Sequence, residues 1–375
     1  MAPVAKVTKK NLGNVVVIGG CGFLGHHIVN QLVDSYTCKV FVVDLRTTRN
    51  RRPESDGVQY FDADITSLES IVTIFKKVKP DVVIHTASPV AIAETANSFL
   101  YKVNVEGTQC VIDACRETGV TALVYTSSAS VISDSVTDLI NADERWPILK
   151  GKFQTDYYAE TKGLAEEAVL KANRTGPSDL LTAAIRPAGI FGEGDIQLLP
   201  NMLDLYYTNK TNFQVGDNTN LFDFTYVGNV AHAHLLAAHL LLSTAKLSVK
   251  PLDHEKVDGE AFIITNDAPI YFWDFPRQLW AIAGHKKGTE GVWTISKDVG
   301  VPLATVVETS LWLIGKKSKM TPRGIRFSCM TRYYNISKAR ERLGYKPILT
   351  TRQGMERSVK FFLAEKESAD AKKTQ

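Results

Sequence analysis

The stretch Gly19-Gly20-Cys21-Gly22-Phe23-Leu24-Gly25 constrains this chain more than any other. An apolar run, Asn14-Val15-Val16-Val17-Ile18, feeds it, and a helical pattern leaves it at His26. Strand, glycine turn and helix form the context that a dinucleotide fingerprint requires. Gly19 permits the tight turn, Gly22 lets the main chain approach a pyrophosphate, and Gly25 lets the helix lie close on the strand. The N-terminus of that helix then faces the phosphates. Phe23 and Leu24, inside the motif, join the candidate cofactor contacts.

The following elements extend the pattern. A second strand, Lys39 to Val43, ends at Asp44, about 20 residues past the glycines, where an acidic residue accepts hydrogen bonds from the adenosine ribose. That position favours NAD. NADP stays open, because Arg46, Arg49, Arg51 and Arg52 follow at once and arginines there can hold a 2′-phosphate. Asp64 and Ile65 close the next strand. Asp64 is placed to meet the adenine edge, and its alternative role is a cap for the helix Ser67 to Val78. The unbroken apolar run Asp81 to His85 reads as a buried parallel strand. It ends at Ala87 and Ser88, small residues at the carboxyl edge where cofactors lie. His85 reads as a packed histidine. A helix carrying Asn104 and a strand ending at Thr126-Ser127-Ser128 continue the alternation, and Leu181 to Pro187 supplies another strand. The expected fold is α/β, a doubly wound parallel (Rossmann) sheet with a smaller C-terminal substrate-binding region. Residues 1–13 read as a flexible tail and 14–192 as the nucleotide-binding domain, with 222–242 packing back on it. Residues 193–364 then form the substrate-binding region, and 365–375 a charged, disordered tail.

Tyr158 and Lys162 stand four apart, one helical turn along the same face. A phenol with a free pKa near ~10 is a poor base at neutral pH. A nearby ammonium stabilises the phenolate and lowers that value. Ser128 can hydrogen-bond the substrate oxygen beside Tyr158. Asn104 can hold a water that relays the proton onward from Lys162. The catalytic candidates are therefore Tyr158, Lys162, Ser128 and Asn104. Ser127 and Pro187, at the same sheet edge, complete the cofactor candidates.

Bulk properties remove other classes. A formal charge of +4, evenly spread, gives no argument for nucleic acid. The five cysteines lack metal-ligand spacing and read as reduced thiols, so no metal site is expected. No run reaches the ~18 apolar residues of a membrane span. The segment Val299 to Ile314 is apolar and is followed by Lys316, Lys317 and Lys319. It reads either as an interfacial membrane helix or as a core helix with a solvated end.

Together, Gly19 to Gly25 with its G-x-x-G-x-x-G spacing, Thr126-Ser127-Ser128, Tyr158-x-x-x-Lys162 and Arg186-Pro187-Ala188-Gly189-Ile190-Phe191-Gly192 resemble an extended short-chain dehydrogenase/reductase. His85-Thr86-Ala87-Ser88-Pro89, Asn141 to Ile148 and Val215 to Asp223 narrow the resemblance to the 3β-hydroxysteroid dehydrogenase branch, and within it to the fungal enzymes of sterol synthesis that act on 4α-carboxysterols. The resemblance covers about residues 14–360. It implies NAD(P)-dependent oxidation of a 3β-hydroxyl to the 3-ketone with loss of the 4-carboxylate as carbon dioxide. Related steroid or triterpenoid dehydrogenation and a non-catalytic cofactor-binding sensor are the alternatives. It further implies a peripheral place on the cytosolic face of the endoplasmic reticulum, beside other enzymes of sterol C-4 demethylation or a membrane scaffold, and a homodimer. One departure stands out: many extended members carry Asp where this chain has Asn229.

Overall fold

The computed structural model describes residues 9–89, 95–176, 179–316, 318 and 321–373. The chain begins with β1 (Asn11–Ile18), the glycine turn, α1 (Phe23–Ser35) and β2 (Thr37–Asp44). Next come β3 (Gln59–Asp62), α2 (Leu68–Val78), β4 (Val82–His85), α3 (Asn97–Tyr101), α4 (Thr108–Thr118) and β5 (Ala122–Thr126). After β6 (Leu139–Ala142) come α5 (Tyr157–Lys171), β7 (Leu181–Pro187), β8 (Gly189–Phe191), α6 (Leu198–Tyr207) and β9 (Phe213–Val215). The chain goes on through β10 (Leu221–Phe222), β11 (Phe224–Tyr226), α7 (Val227–Thr244), β12 (Glu260–Ile264), β13 (Ile270–Tyr271), α8 (Asp274–Ile282) and β14 (Trp293–Ile295). It closes with α9 (Lys297–Leu313), α10 (Pro322–Ser328), β15 (Arg332–Tyr334) and α11 (Thr351–Lys373).

Seven parallel strands form the central sheet in the order β12-β7-β5-β4-β1-β2-β3. Chain direction across the sheet reverses between β1 and β4, and in open α/β sheets the crevice at such a point receives the ligand. The strands are apolar runs because both faces are covered. One face packs Val15, Val17, Ile84 and Val124 with Ile28 and Leu235. The other packs Val16, Ile18, Val83 and Leu123 with Phe75, Ile112 and Val169. A smaller four-stranded sheet, β13-β10-β15-β6, belongs to the C-terminal half.

The doubly wound parallel sheet agrees with the sequence pattern, and three boundaries differ from it. β1 starts at Asn11, inside the stretch expected as a tail, because Leu12 is fully buried; residues 1–8 lie outside the described residues. β12 falls within the expected substrate region yet is the sheet's seventh strand, paired along β7. Its outer edge is occupied by side chains: Glu144 accepts from the Ile263 amide at 2.7 Å, and Lys338 Nζ donates to the Ala261 carbonyl at 2.8 Å. Finally, α11 continues to Lys373 where a disordered tail was expected. Its residues are good helix formers, and Lys366 lies 3.5 Å over the ring of Tyr207.

α7 packs back against α1 and the sheet, where Gln31 Nε2 donates to the Gly228 carbonyl at 2.7 Å. Asn229, the departure noted above, is fully buried there. Its Oδ1 accepts from the Ile348 and Leu349 amides, while Nδ2 donates to the Leu349 carbonyl and to Asn266 Oδ1. A carboxylate could accept at this position but not donate, so the amide fits the site.

Candidate active site

The glycine turn meets the test for a nucleotide cradle. Gly19 has φ +80° and its amide donates to the Val43 carbonyl. A Cβ on Gly19 would lie 2.7 Å from Ala87 N, and one on Gly25 would lie 2.0 Å from the Gly19 carbonyl oxygen. α1 therefore starts hard against β1. Its N-cap, Gly22, has no side chain to offer, and its first turn carries no acid. The opening N–H groups of the helix are thus left for an anion. Phe23 and Leu24 occupy that first turn.

Asp44 ends β2, and its Oδ2 accepts from the Cys21 amide at 3.0 Å, so this carboxylate is fixed to the turn itself. Asn50, with φ +51°, donates to the Cys21 carbonyl at 2.9 Å and folds the arginine-rich loop back toward the glycines. Arg52 is paired with Asp56 and Asp34, and Arg51 lies over the Tyr60 ring. Arg46 and Arg49 stay exposed. Asp64 Oδ1 accepts from the amide and hydroxyl of Thr66 in a local turn, and the cap of α2 is Ser67. The Ile65 side chain is buried, close to Gly107.

At the edge of β4, His85 is fully buried against Tyr125 and Thr108, and burial pushes its imidazole down to about 3. It is a neutral packing residue. Ser88 Oγ donates to Asn104 Oδ1 at 2.8 Å. Asn104 sits in a π-helical segment, Lys102–Gly107, a distortion common at functional sites. Its Nδ2 donates to Thr161 Oγ1 at 3.0 Å, and Thr161 donates to the Tyr158 carbonyl. The expected water relay from Lys162 through Asn104 would use the donor and acceptor capacity that these two bonds leave over. Both ends of the amide are engaged, and they tie β4 to the helix bearing Tyr158.

At β5, Ser127 Oγ is buried with no partner, among the described residues. Ser128 Oγ accepts from the Ser130 amide at 3.1 Å and lies 2.7 Å from the Ser130 hydroxyl. Pro187 ends β7 beside this edge. Asp156 caps α5, accepting from the Tyr158 amide at 3.2 Å. Asp156 also receives Arg323 of α10 at 2.6 Å, which links the C-terminal half to the start of this helix. Lys162 is buried, donates to the Thr126 carbonyl at 2.5 Å and lies 4.3 Å over the Tyr125 ring.

The electrostatics differ from the simple expectation of an acidified phenol. Burial raises the Tyr158 phenol above its usual range, opposed by a hydrogen bond with Ser88. Burial lowers the Lys162 ammonium to about 7. In this state burial, with the Asp156 carboxylate beside it, keeps the phenol neutral, so positive charge at the site is needed to favour phenolate.

Sequence reasoning missed the buried pair below Lys162. Glu166 Oε2 lies 2.9 Å from Arg186 Nε, and Oε1 lies 2.5 Å from a terminal guanidinium nitrogen. The signal was present: Glu166 stands one turn beyond Lys162, and Arg186 precedes Pro187. The aromatic residues of the second half largely pack on one another. Phe224 stacks on Phe275 at 3.8 Å, and Phe222 packs against Phe272 and Phe327.

Comparison with known proteins agrees with this geometry. The chain is 42% identical over 354 residues to the decarboxylating sterol-4-alpha-carboxylate 3-dehydrogenase of Schizosaccharomyces pombe, covering 94% of this chain and 98% of that protein. It is 39% identical to the Saccharomyces cerevisiae enzyme of the same name, covering 93% and 97%. The fold is shared with UDP-glucose 4-epimerase of Thermotoga maritima, with a TM-score of 0.67, 19% identity and coverage of 94% and 99%. It is shared also with dTDP-glucose 4,6-dehydratase of Bacillus anthracis, with a TM-score of 0.68, 18% identity and coverage of 94% and 97%. Residues 16–294 match the family model described as 3-beta hydroxysteroid dehydrogenase/isomerase, and the chain belongs to that family.

Proposed function

We propose that this chain oxidises the 3β-hydroxyl of a 4α-carboxysterol to the 3-ketone and releases the 4-carboxylate as carbon dioxide, with NAD as cofactor. The observation that carries the reading is the placement of Tyr158 and Lys162 on one face of α5, against the β5 edge. It occurs in a chain alike along nearly its full length to enzymes named for that reaction. Bound against the glycine turn, NAD supplies the hydride acceptor. Asp44 is placed to hold its ribose, with Gly19, Gly22, Phe23, Leu24, Gly25, Asp64, Ile65, Ala87, Ser88, Ser127 and Pro187 around it. Tyr158 takes the hydroxyl proton as general base. Lys162 supports the phenolate, and Ser128 holds the substrate oxygen. The product carries a ketone next to a carboxylate-bearing carbon. The C–C bond to the carboxylate breaks, and its electron pair passes into the ketone as an enolate. Tyr158 and Ser128 are donors for that developing oxyanion, so this step needs no separate catalytic group.

The test is an assay with a 4α-carboxysterol and either cofactor. The expected result is reduced cofactor and carbon dioxide in equal amounts, with NAD preferred over NADP. Reduction without carbon dioxide would make the enzyme a plain 3β-hydroxysteroid dehydrogenase, and no reduction with any sterol would end the enzyme reading.

The localisation belongs to the same proposal. In α9 only Gly300 and Ala304 are buried. Val306, Trp312, Leu313 and Ile314 are 63–73% exposed, and Lys316 follows them. Among the described residues no helix is long and apolar enough to cross a membrane. The exposed apolar side supports our reading that α9 lies in the interface of the endoplasmic reticulum membrane on its cytosolic side, apolar face inward. There the chain meets its insoluble substrate and the other enzymes or scaffold of C-4 demethylation. Lys317 and Lys319 of the expected basic edge lie outside the described residues. Replacing Val306, Trp312 and Leu313 by serine is expected to weaken vesicle binding by about 100-fold or more, since burying each large apolar side chain is worth roughly 1.5–3 kcal/mol. Unchanged vesicle flotation would overturn the placement.

A further inference from the structure

We propose that Glu166 and Arg186 are a positioning pair that raises the charged fraction of Lys162 while leaving its ammonium on the Thr126 carbonyl at the end of β5, the strand edge that faces Tyr158. The inference rests on Tyr158 acting as base. That reading fails by a different result, turnover retained without the phenol.

Lys162 is 2% exposed, and burial drives its ammonium to about 7. That value already includes the Glu166 carboxylate, which favours the charged form; without it the group would be neutral for most of the time at physiological pH and give a phenolate little support. Its immediate contacts, the Thr126 carbonyl and the face of Tyr125, favour a cation but carry no net charge. The titratable groups around it from other elements are neutral. On β4, His85 titrates at about 3, and on α7, His234 titrates at about 4. On β5, the Tyr125 phenol is raised well above its usual value. On its own helix stand Tyr158, whose phenol is raised, and Glu166. Glu166 is thus the carboxylate that acts on Lys162, and it favours the charged form.

Glu166 is fully buried and one helical turn from Lys162, close enough on the helix to capture the ammonium outright. Direct pairing would draw Nζ down the helix, away from the Thr126 carbonyl at the end of β5. Arg186 prevents this. Its Nε meets both carboxylate oxygens at 2.9 and 3.1 Å, and a terminal nitrogen meets Oε1 at 2.5 Å. The planar fork of arginine suits such double pairing. Glu166 therefore contributes its field while Arg186 holds its oxygens, and Nζ remains directed at the end of β5. Neither residue touches the reacting atoms, and each acts through Lys162. Glu144, near Arg186, is engaged with the Ile263 amide.

The test follows Lys162 directly by ¹³Cε NMR of lysine-labelled, cofactor-free protein, assigned with Lys162→Arg. Glu166→Gln is expected to lower the Lys162 midpoint by about one pH unit, a tenfold change in the charged-to-neutral ratio. The acidic limb of the kcat/KM profile is expected to move to higher pH, because the phenolate loses support. Glu166→Gln combined with Arg186→Gln removes the guanidinium that the single variant would leave unpaired and should shift both in the same directions, by less. A folded variant of either kind whose Lys162 titrates at the wild-type midpoint overturns the proposal, even where activity falls. Should both fail to fold, Glu166→Asp decides. It draws the charge back by one methylene, and an unchanged midpoint then overturns the proposal while a downward shift supports it.

Discussion

Tyr158→Phe is expected to abolish turnover of a 4α-carboxysterol while leaving cofactor affinity within a few-fold of wild type. Positioned proton transfer is worth about 10²–10⁴-fold, and here no neighbouring group offers a replacement. His85 is neutral and buried. Lys162 points at the Thr126 carbonyl, and Tyr157 has no lysine one turn beyond it. The benzyl ring remains, so packing of α5 is preserved. The glycine turn and Asp44, which hold the cofactor in this reading, lie on other elements. Comparing kcat with the cofactor Kd, measured by quenching of protein fluorescence, separates the two roles. Retained turnover would remove Tyr158 from its place as base.

Gly25→Ala should act in the opposite way, through the cofactor. The added methyl would sit 2.0 Å from the Gly19 carbonyl oxygen and 2.7 Å from Gly20 Cα. These are main-chain atoms of the turn itself, so relief requires moving α1 away from β1. Overpacking of this kind costs about 1–3 kcal/mol in stability. The turn also loses its fit to phosphate, and cofactor affinity is expected to fall at least ~100-fold, about 2.8 kcal/mol. Gly22→Ala is the graded control. Its methyl would meet only the Gly19 carbonyl oxygen, at 3.1 Å, and its φ of −78° suits any residue. It should leave the melting temperature near wild type. Equal loss of stability in the two variants would show that close packing of helix on strand is not what Gly25 provides.

The parts legible in the sequence were those set by local rules. Glycine spacing placed the turn, unbroken apolar runs placed β1, β2, β4 and β5, and the four-residue interval placed Tyr158 and Lys162 on one face of α5. The parts that escaped depend on distant partners. β12 is short and isolated in sequence, and becomes a sheet strand only because β7 offers a free edge 70-odd residues earlier. The role of Asn104 could not be read from its neighbours, since Ser88 and Thr161 come from other elements. The spacing of Glu166 one turn beyond Lys162 was legible, but that it meets Arg186 of β7 was not, since the two come together only in the fold. Their meaning comes from burial, which no spacing reveals. The Lys162 ammonium follows the same logic: the motif names the residue, but desolvation by the surrounding fold sets its charge.

The side chains along the outer edge of β12 bear on how the protein behaves in company. A sheet that ends in an open strand offers its free amides and carbonyls to any passing chain. Here Glu144 takes the amide of Ile263 and Lys338 takes the carbonyl of Ala261. A visiting strand would have to displace two charged groups before forming its first rungs. For a chain that also exposes so apolar a helix as α9, an edge closed in this way removes one route by which copies could stack strand on strand.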